Sequence, residues 1–95
     1  MKGKTIVLVL AFALALFISG CASTRYISDA RGYLEKAKAA GAVEKSPYEY
    51  YLAEEYLSYA EHENEEGDRK QAEIFAREAI DHAKKALEES GGGVK

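Results

Sequence analysis

The sequence predicts an all-α protein: a small three-helix domain whose last two helices form an antiparallel, alanine-rich hairpin, behind an N-terminal apolar leader. Three observations predict it. Ala72, Ala76, Ala79, Ala83 and Ala86 recur at intervals of 4, 3, 4 and 3, the spacing of one helix face. Ser46-Pro47-Tyr48-Glu49 has the residue order of a helix start. Gly41 and Gly67 stand where helical patterns have to stop.

The leader is residues 1–20. Lys2 and Lys4 form a short positive region, and Ile6 to Ile18 is an unbroken apolar run. That length suits the apolar core of an export signal. As a helix it would span roughly 20 Å, short of the ~30 Å hydrocarbon layer, so a transmembrane anchor is the weaker reading. Ser19 and Gly20 supply the small residues expected before a cleavage point. Cys21, the only cysteine, follows directly. An ordinary signal peptide beside a free thiol is the bland alternative.

The run Ile18-Ser19-Gly20-Cys21 resembles the lipobox of bacterial lipoproteins. The resemblance implies that Cys21 is lipidated, that the leader is cut between Gly20 and Cys21, and that the new amino terminus is acylated as well. One chain alone anchors marginally, at about 0.8 kcal/mol per buried CH₂, so two or three chains would anchor stably. Ala22 stands where an Asp would favour inner-membrane retention. The resemblance therefore implies an outer-membrane lipoprotein facing the periplasm, where the organism has an outer membrane. Residues 21–26 are expected to be a lipidated tether, 27–90 the folded domain and 91–95 a flexible tail.

Loss of the leader removes Lys2 and Lys4 and leaves 11 basic against 16 acidic residues, a net charge of −5. That balance opposes nucleic-acid binding and a polybasic membrane patch, both of which need clustered cations. With one cysteine, no internal disulfide can form.

In the first helix Ile27, Ala30, Leu34 and Ala37 share a face, Gly41 stops it, and residues 40–45 read as a loop. Ser46 caps the second helix, Pro47 fits its first position, and Glu49 can reach back to complete a capping box. This helix runs to about Glu65, with Ala53, Tyr56, Leu57 and Ala60 on one side and Tyr56 best placed for the core. Gly67 makes the reversal, and Asp68 caps the third helix with Gln71 three residues on. The third helix runs to about Ser90. Phe75, Ile80 and Leu87 flank its alanine stripe, and Glu73–Arg77 and Asp81–Lys85 are favourable i,i+4 pairs on its outer side. An alanine seam buries little area per residue. A unit of about 65 residues without disulfides is marginal, so a partner or a second copy could complete its core.

Tyr56, Ala60, Gly67-Asp68, Ala72, Ala76 and Ala79 resemble one tetratricopeptide-type helix pair, without its closing proline and as a single unit. The full order is more specific: lipobox, first helix, Ala40-Gly41-Ala42, a Pro-started helix, Gly67-Asp68, then an Ala-rich helix. It resembles the small envelope proteins of the family called domain of unknown function 4398, over nearly all of residues 21–90. The resemblance implies location and fold but no chemistry.

The residues themselves offer little chemistry. His62 and Glu66, and Glu78 and His82, are each four apart. A hairpin about Gly67 puts the two histidines about 15 Å apart along the helices, too far to share a metal. Both read as solvated or boundary histidines. The acidic run 62–66 with Asp68 lacks the ligand spacing of a calcium loop and reads as a solvated helix end. No nucleophile–base order or phosphate loop remains, so neither enzyme activity, a cofactor nor a metal site is expected.

Tyr48, Tyr50, Tyr51, Tyr56 and Tyr59 cannot all be buried on one helix face. Tyr48, Tyr51 and Tyr59 are therefore the candidate protein-contact residues, since tyrosine is enriched at interfaces; boundary packing between helices is the alternative. The expected function is a non-enzymatic, membrane-anchored adaptor binding another envelope protein. Self-association through the alanine seam is a second reading. A periplasmic binder of a small ligand or cation is a third.

Overall fold

The computed structural model describes residues 2–92, with side chains at 3–10 and 22–92. It contains α1 (Lys2–Ala39), α2 (Ala42–Lys45), α3 (Pro47–Glu65) and α4 (Arg69–Glu89), and no strand among the described residues. The fold is all-α as expected. The loop expected at 40–45 holds one helical turn, α2. The side chain of Cys21, the surroundings of Gly20, and the tail residues 93–95 lie outside what is described.

Helix α4 is the central element. It packs against both α3 and α1, which touch each other less. Contacts fix the directions. Glu49 meets His82 and Tyr56 meets Phe75, so α3 and α4 are antiparallel. Tyr26 meets Arg77 and Tyr33 meets Lys84 at one constant offset, so α1 and α4 are parallel.

All three long helices present the same stripe. Ser23, Ile27, Ala30, Leu34 and Ala37 of α1 are buried. So are Tyr50, Ala53, Leu57 and Ala60 of α3, with Ser46 just before it. In α4 the stripe is Ala72, Ala76, Ala79, Ala83 and Ala86, extended by Ser90. Each repeats at 4 and 3, the heptad register in which helices interlock at shallow crossing angles. Alanines let the backbones approach closely. The bulk comes from Ile27, Leu34, Tyr50, Leu57 and Leu87, each large side chain contributing about 1.5–3 kcal/mol by burial.

The register explains three departures from the sequence reading. First, the segment expected to be a tether, 22–26, is helical and packed. The α1 stripe begins one turn before Ile27, at Ser23, whose Oγ donates to Asn64 Oδ1 at 2.9 Å. A satisfied serine is buried at little cost, which a count of apolar residues misses. Second, Tyr50 and not Tyr56 is the deep tyrosine, at 6% exposure. Tyr56 lies off the stripe and turns half-buried toward α4, against Phe75 and His82. Third, the tail expected from residue 91 starts inside a helix cap. Gly91 N donates to Glu88 O and Gly92 N to Leu87 O, the Schellman pattern. A Cβ on Gly92 would come within 2.3 Å of Leu87 Cδ1 and 2.8 Å of Ala40 Cβ.

Gly67 closes α3 in the same way, with φ of 87° and Asp68 N donating to Glu63 O. Asp68 then caps α4 as expected, its Oδ1 accepting from Gln71 N at 3.1 Å. Ser46 does not cap α3. Its Oγ donates to Glu89 Oε1 of α4, and Glu49 reaches His82 in place of the Ser46 backbone. The expected capping box is thus replaced by two contacts between helices.

The N-terminal part of α1 extends beyond the bundle, with Ile6 to Leu10 each more than half exposed. Thirty-eight residues give a helix of about 57 Å, close to the 64 Å longest dimension of the molecule. Among the described residues, no helix is long and apolar enough to cross a membrane.

Candidate functional site

The buried stripe of α3 fixes what its other side offers. With Tyr50, Ala53, Leu57 and Ala60 inward, helical periodicity turns Tyr48, Tyr51, Glu55, Tyr59 and His62 outward. Tyr48 is 74% exposed, Tyr51 53% and Tyr59 45%. All three candidate contact residues therefore lie on the solvent side of one helix.

They form two groups. Tyr48 and Tyr51 share a shallow groove with Pro47, Leu52 and Glu55. Tyr51 stands edge-on to Tyr50, ring centres 5.4 Å apart, so the buried ring fixes the exposed one. Tyr59 sits further along α3, against Phe75 at 5.5 Å and Tyr56 at 6.3 Å. Glu55 links the groups: it lines the groove and accepts from the Tyr59 hydroxyl at 2.7 Å. That hydrogen bond pushes the Tyr59 phenol above its ordinary range. Burial, with Glu54 alongside, does the same to Tyr50.

A second cluster escaped the sequence reading. Of the two places expected for it, His82 takes the boundary one and not the solvated one: its side chain is 17% exposed. Its Nδ1 lies 2.5 Å from Glu49 Oε2, its Nε2 lies 3.8 Å from Glu78 Oε2, and its ring stacks on Tyr56 at 5.6 Å. The i,i+4 spacing of Glu78 and His82 was visible in the sequence. Glu49 was not, because the capping box had already claimed it. His62 is exposed, 4.0 Å from Glu66. Among the described residues, no group of three or more His, Cys, Asp or Glu could hold a metal ion.

The other outer faces are differently equipped. Arg77 pairs with Glu73 at 3.0 Å, as expected, and also donates to Tyr26 Oη at 3.1 Å. Its guanidinium lies 4.8 Å from the Tyr26 ring centre. Lys36 and Lys84 lie 5.3 and 5.1 Å from the ring centre of Tyr33. Arg31 of α1 pairs with Glu61 of α3.

A family model described as Domain of unknown function (DUF4398) matches residues 25–91. The match takes in most of the bundle part of α1, from residue 25, and all of α2, α3 and α4, and ends at Gly91 in the closing cap. No curated protein and no solved structure matches the chain.

Proposed function

The chain belongs to the family described as domain of unknown function 4398, and we propose that it is a non-enzymatic lipoprotein of the bacterial envelope whose α3 face binds another envelope protein. The observation that carries this reading is the exposure of Tyr48 and Tyr51 beside Leu52 on a helix whose inner face is fully committed to the core. Rigid aromatic side chains bring large contact area at small entropic cost, which suits a binding surface.

Anchoring through Cys21 gives that surface an orientation. Only Ala22 separates Cys21 from the packed Ser23. A lipid on Cys21 would therefore hold the bundle end-on at the bilayer, with the α3–α4 turn at the near end. The groove at the start of α3 would then stand about 24 Å away, at the far end. A partner would be met at a fixed height and not on a swinging tether.

Self-association through the alanine seam has no such support. Ala72, Ala76, Ala79, Ala83 and Ala86 are all fully buried within one chain.

Two experiments test the reading. Labelled palmitate should enter the native protein and not Cys21→Ser, which should leave the membrane fraction. Tyr48→Ala with Tyr51→Ala should abolish an in-cell crosslink to a second envelope protein while leaving helical content unchanged. Unlabelled native protein removes the lipid anchor from the proposal; an unchanged crosslink removes the tyrosine face.

A further inference from the structure

Charge is unevenly shared between the helices. Helix α3 carries six glutamates and neither lysine nor arginine. Glu66 and Asp68 prolong the acidic run, and the next cation is Arg69. Among the described residues, lysine and arginine are confined to α1, to Lys45 before α3, and to α4. The modest net charge of the chain conceals this division.

The molecule also displays what its tyrosines do when a cation is within reach. Tyr26 is covered by Arg77, and Tyr33 by both Lys36 and Lys84. Tyr48 and Tyr51 are more exposed than either, and among the described residues no cation lies over their rings. Their groove is also lined by the apolar Pro47 and Leu52 and by Glu55, with exposed Glu54 next to Glu55 in the chain. Aromatic rings, apolar lining and a carboxylate together match a lysine or arginine side chain: a long aliphatic stem ending in a cation.

We propose that the Tyr48–Tyr51 groove receives a lysine- or arginine-bearing segment of another protein, its cations over the two rings and against Glu54 and Glu55. This rests on the adaptor reading above and names the chemistry of the partner. A second copy of the chain is the poorer occupant. Copies without the leader each carry a net charge of −5 and repel. Of the eleven cations outside the leader, Arg31, Lys36, Arg77 and Lys84 are in addition engaged internally. A divalent metal ion would make no use of the apolar lining and would seek clustered oxygens instead.

The test places the photocrosslinker p-benzoylphenylalanine at position 51, and separately at 48, of the full-length protein in its native host. Irradiated adducts are mapped by mass spectrometry to the attached segment. The expected adduct lies on another protein, with two or more Lys or Arg near the attachment point. Glu54→Lys with Glu55→Lys should cut its yield roughly tenfold, equivalent to about 1.4 kcal/mol. Reversing the partner's cations to Glu should restore it. Circular dichroism of the double variant checks that the helices persist. An adduct on a neutral or acidic segment, or a yield indifferent to the charge reversal, overturns the cationic partner and leaves the adaptor reading standing. Adducts only with copies of this chain, or none at either position, overturn both.

Discussion

His82 Nδ1 lies 2.5 Å from Glu49 Oε2, joining α4 to the first turn of α3 across 33 residues of chain. Both side chains are largely withdrawn from water, and the Tyr56 ring covers the imidazole with its plane within 2° of parallel. The pair therefore ties the hairpin near its open end, far from the Gly67 turn. Glu49→Gln should destabilise the domain by about 1–2 kcal/mol, and His82→Ala by about 2–3 kcal/mol, since it also deletes the stack and leaves a carboxylate without its partner. Urea unfolding of both single variants and the double variant gives the coupling, expected above about 1 kcal/mol. Strict additivity would mean that the contact contributes no stability.

Stability should fall at alkaline pH through Tyr50. Burial raises its phenol above the ordinary value of 10.0. The unfolded chain therefore loses this proton first. The stabilising contribution is complete below pH 10.0 and is lost as pH rises through the higher folded-state value. Tyr50→Phe should flatten the decline of the urea midpoint above that pH. A parallel decline in both proteins would locate the alkaline sensitivity elsewhere.

The alanine seam should not tolerate bulk. Ala79 and Ala83 have no exposed surface at the centre of α4. Ala79→Leu should cost about 1–3 kcal/mol, or more, by forcing α4 away from its neighbours. Ile74→Ala, on the exposed side of the same helix, should cost under about 1 kcal/mol. Thermal melts of the two variants decide it, and equal losses would refute the packing described.

Two glycines should respond with opposite signs. Gly32 lies inside α1, and a Cβ there would meet nothing within 4 Å. Gly32→Ala should stabilise by about 0.5–1 kcal/mol. Gly67 holds a positive φ of 87°. Gly67→Ala should destabilise by about 1–2 kcal/mol despite equally open space. Chemical denaturation is sufficient to read the signs.

The turn of α1 that holds Ser23 and Tyr26 should belong to the folded unit. A fragment beginning at Ile27 loses Ser23 and its bond to Asn64, together with the Tyr26–Arg77 contact. Against a fragment beginning at Ala22 it should be less stable by about 1–2 kcal/mol. Identical melting temperatures would restore residues 22–26 to the role of a passive tether.

Periodicity and local stop signals were enough to name the three long helices, but neither the single turn of α2 nor the part of α1 ahead of Ile27. Ala72 to Ala86 and Ile27 to Ala37 repeat at the period of a helix, and Gly41, Gly67 and Pro47 are local backbone constraints that no distant contact can override. The outward position of Tyr48, Tyr51 and Tyr59 was legible for the same reason, because it follows from phase around one axis. Ser23, Ser46 and Glu49 were not legible. Each is polar and has a respectable local role, as linker, cap or cap partner. Each is claimed by a residue on another helix: Asn64, Glu89 and His82. A local hydrogen bond and a tertiary one of similar strength compete on nearly equal terms, at about 1 kcal/mol each. Which one forms depends on how the helices pack, and only the assembled bundle brings the second partner within reach. The same holds for Tyr50 over Tyr56: the sequence determines that one face of α3 is buried, and the position of α4 decides where that face is centred.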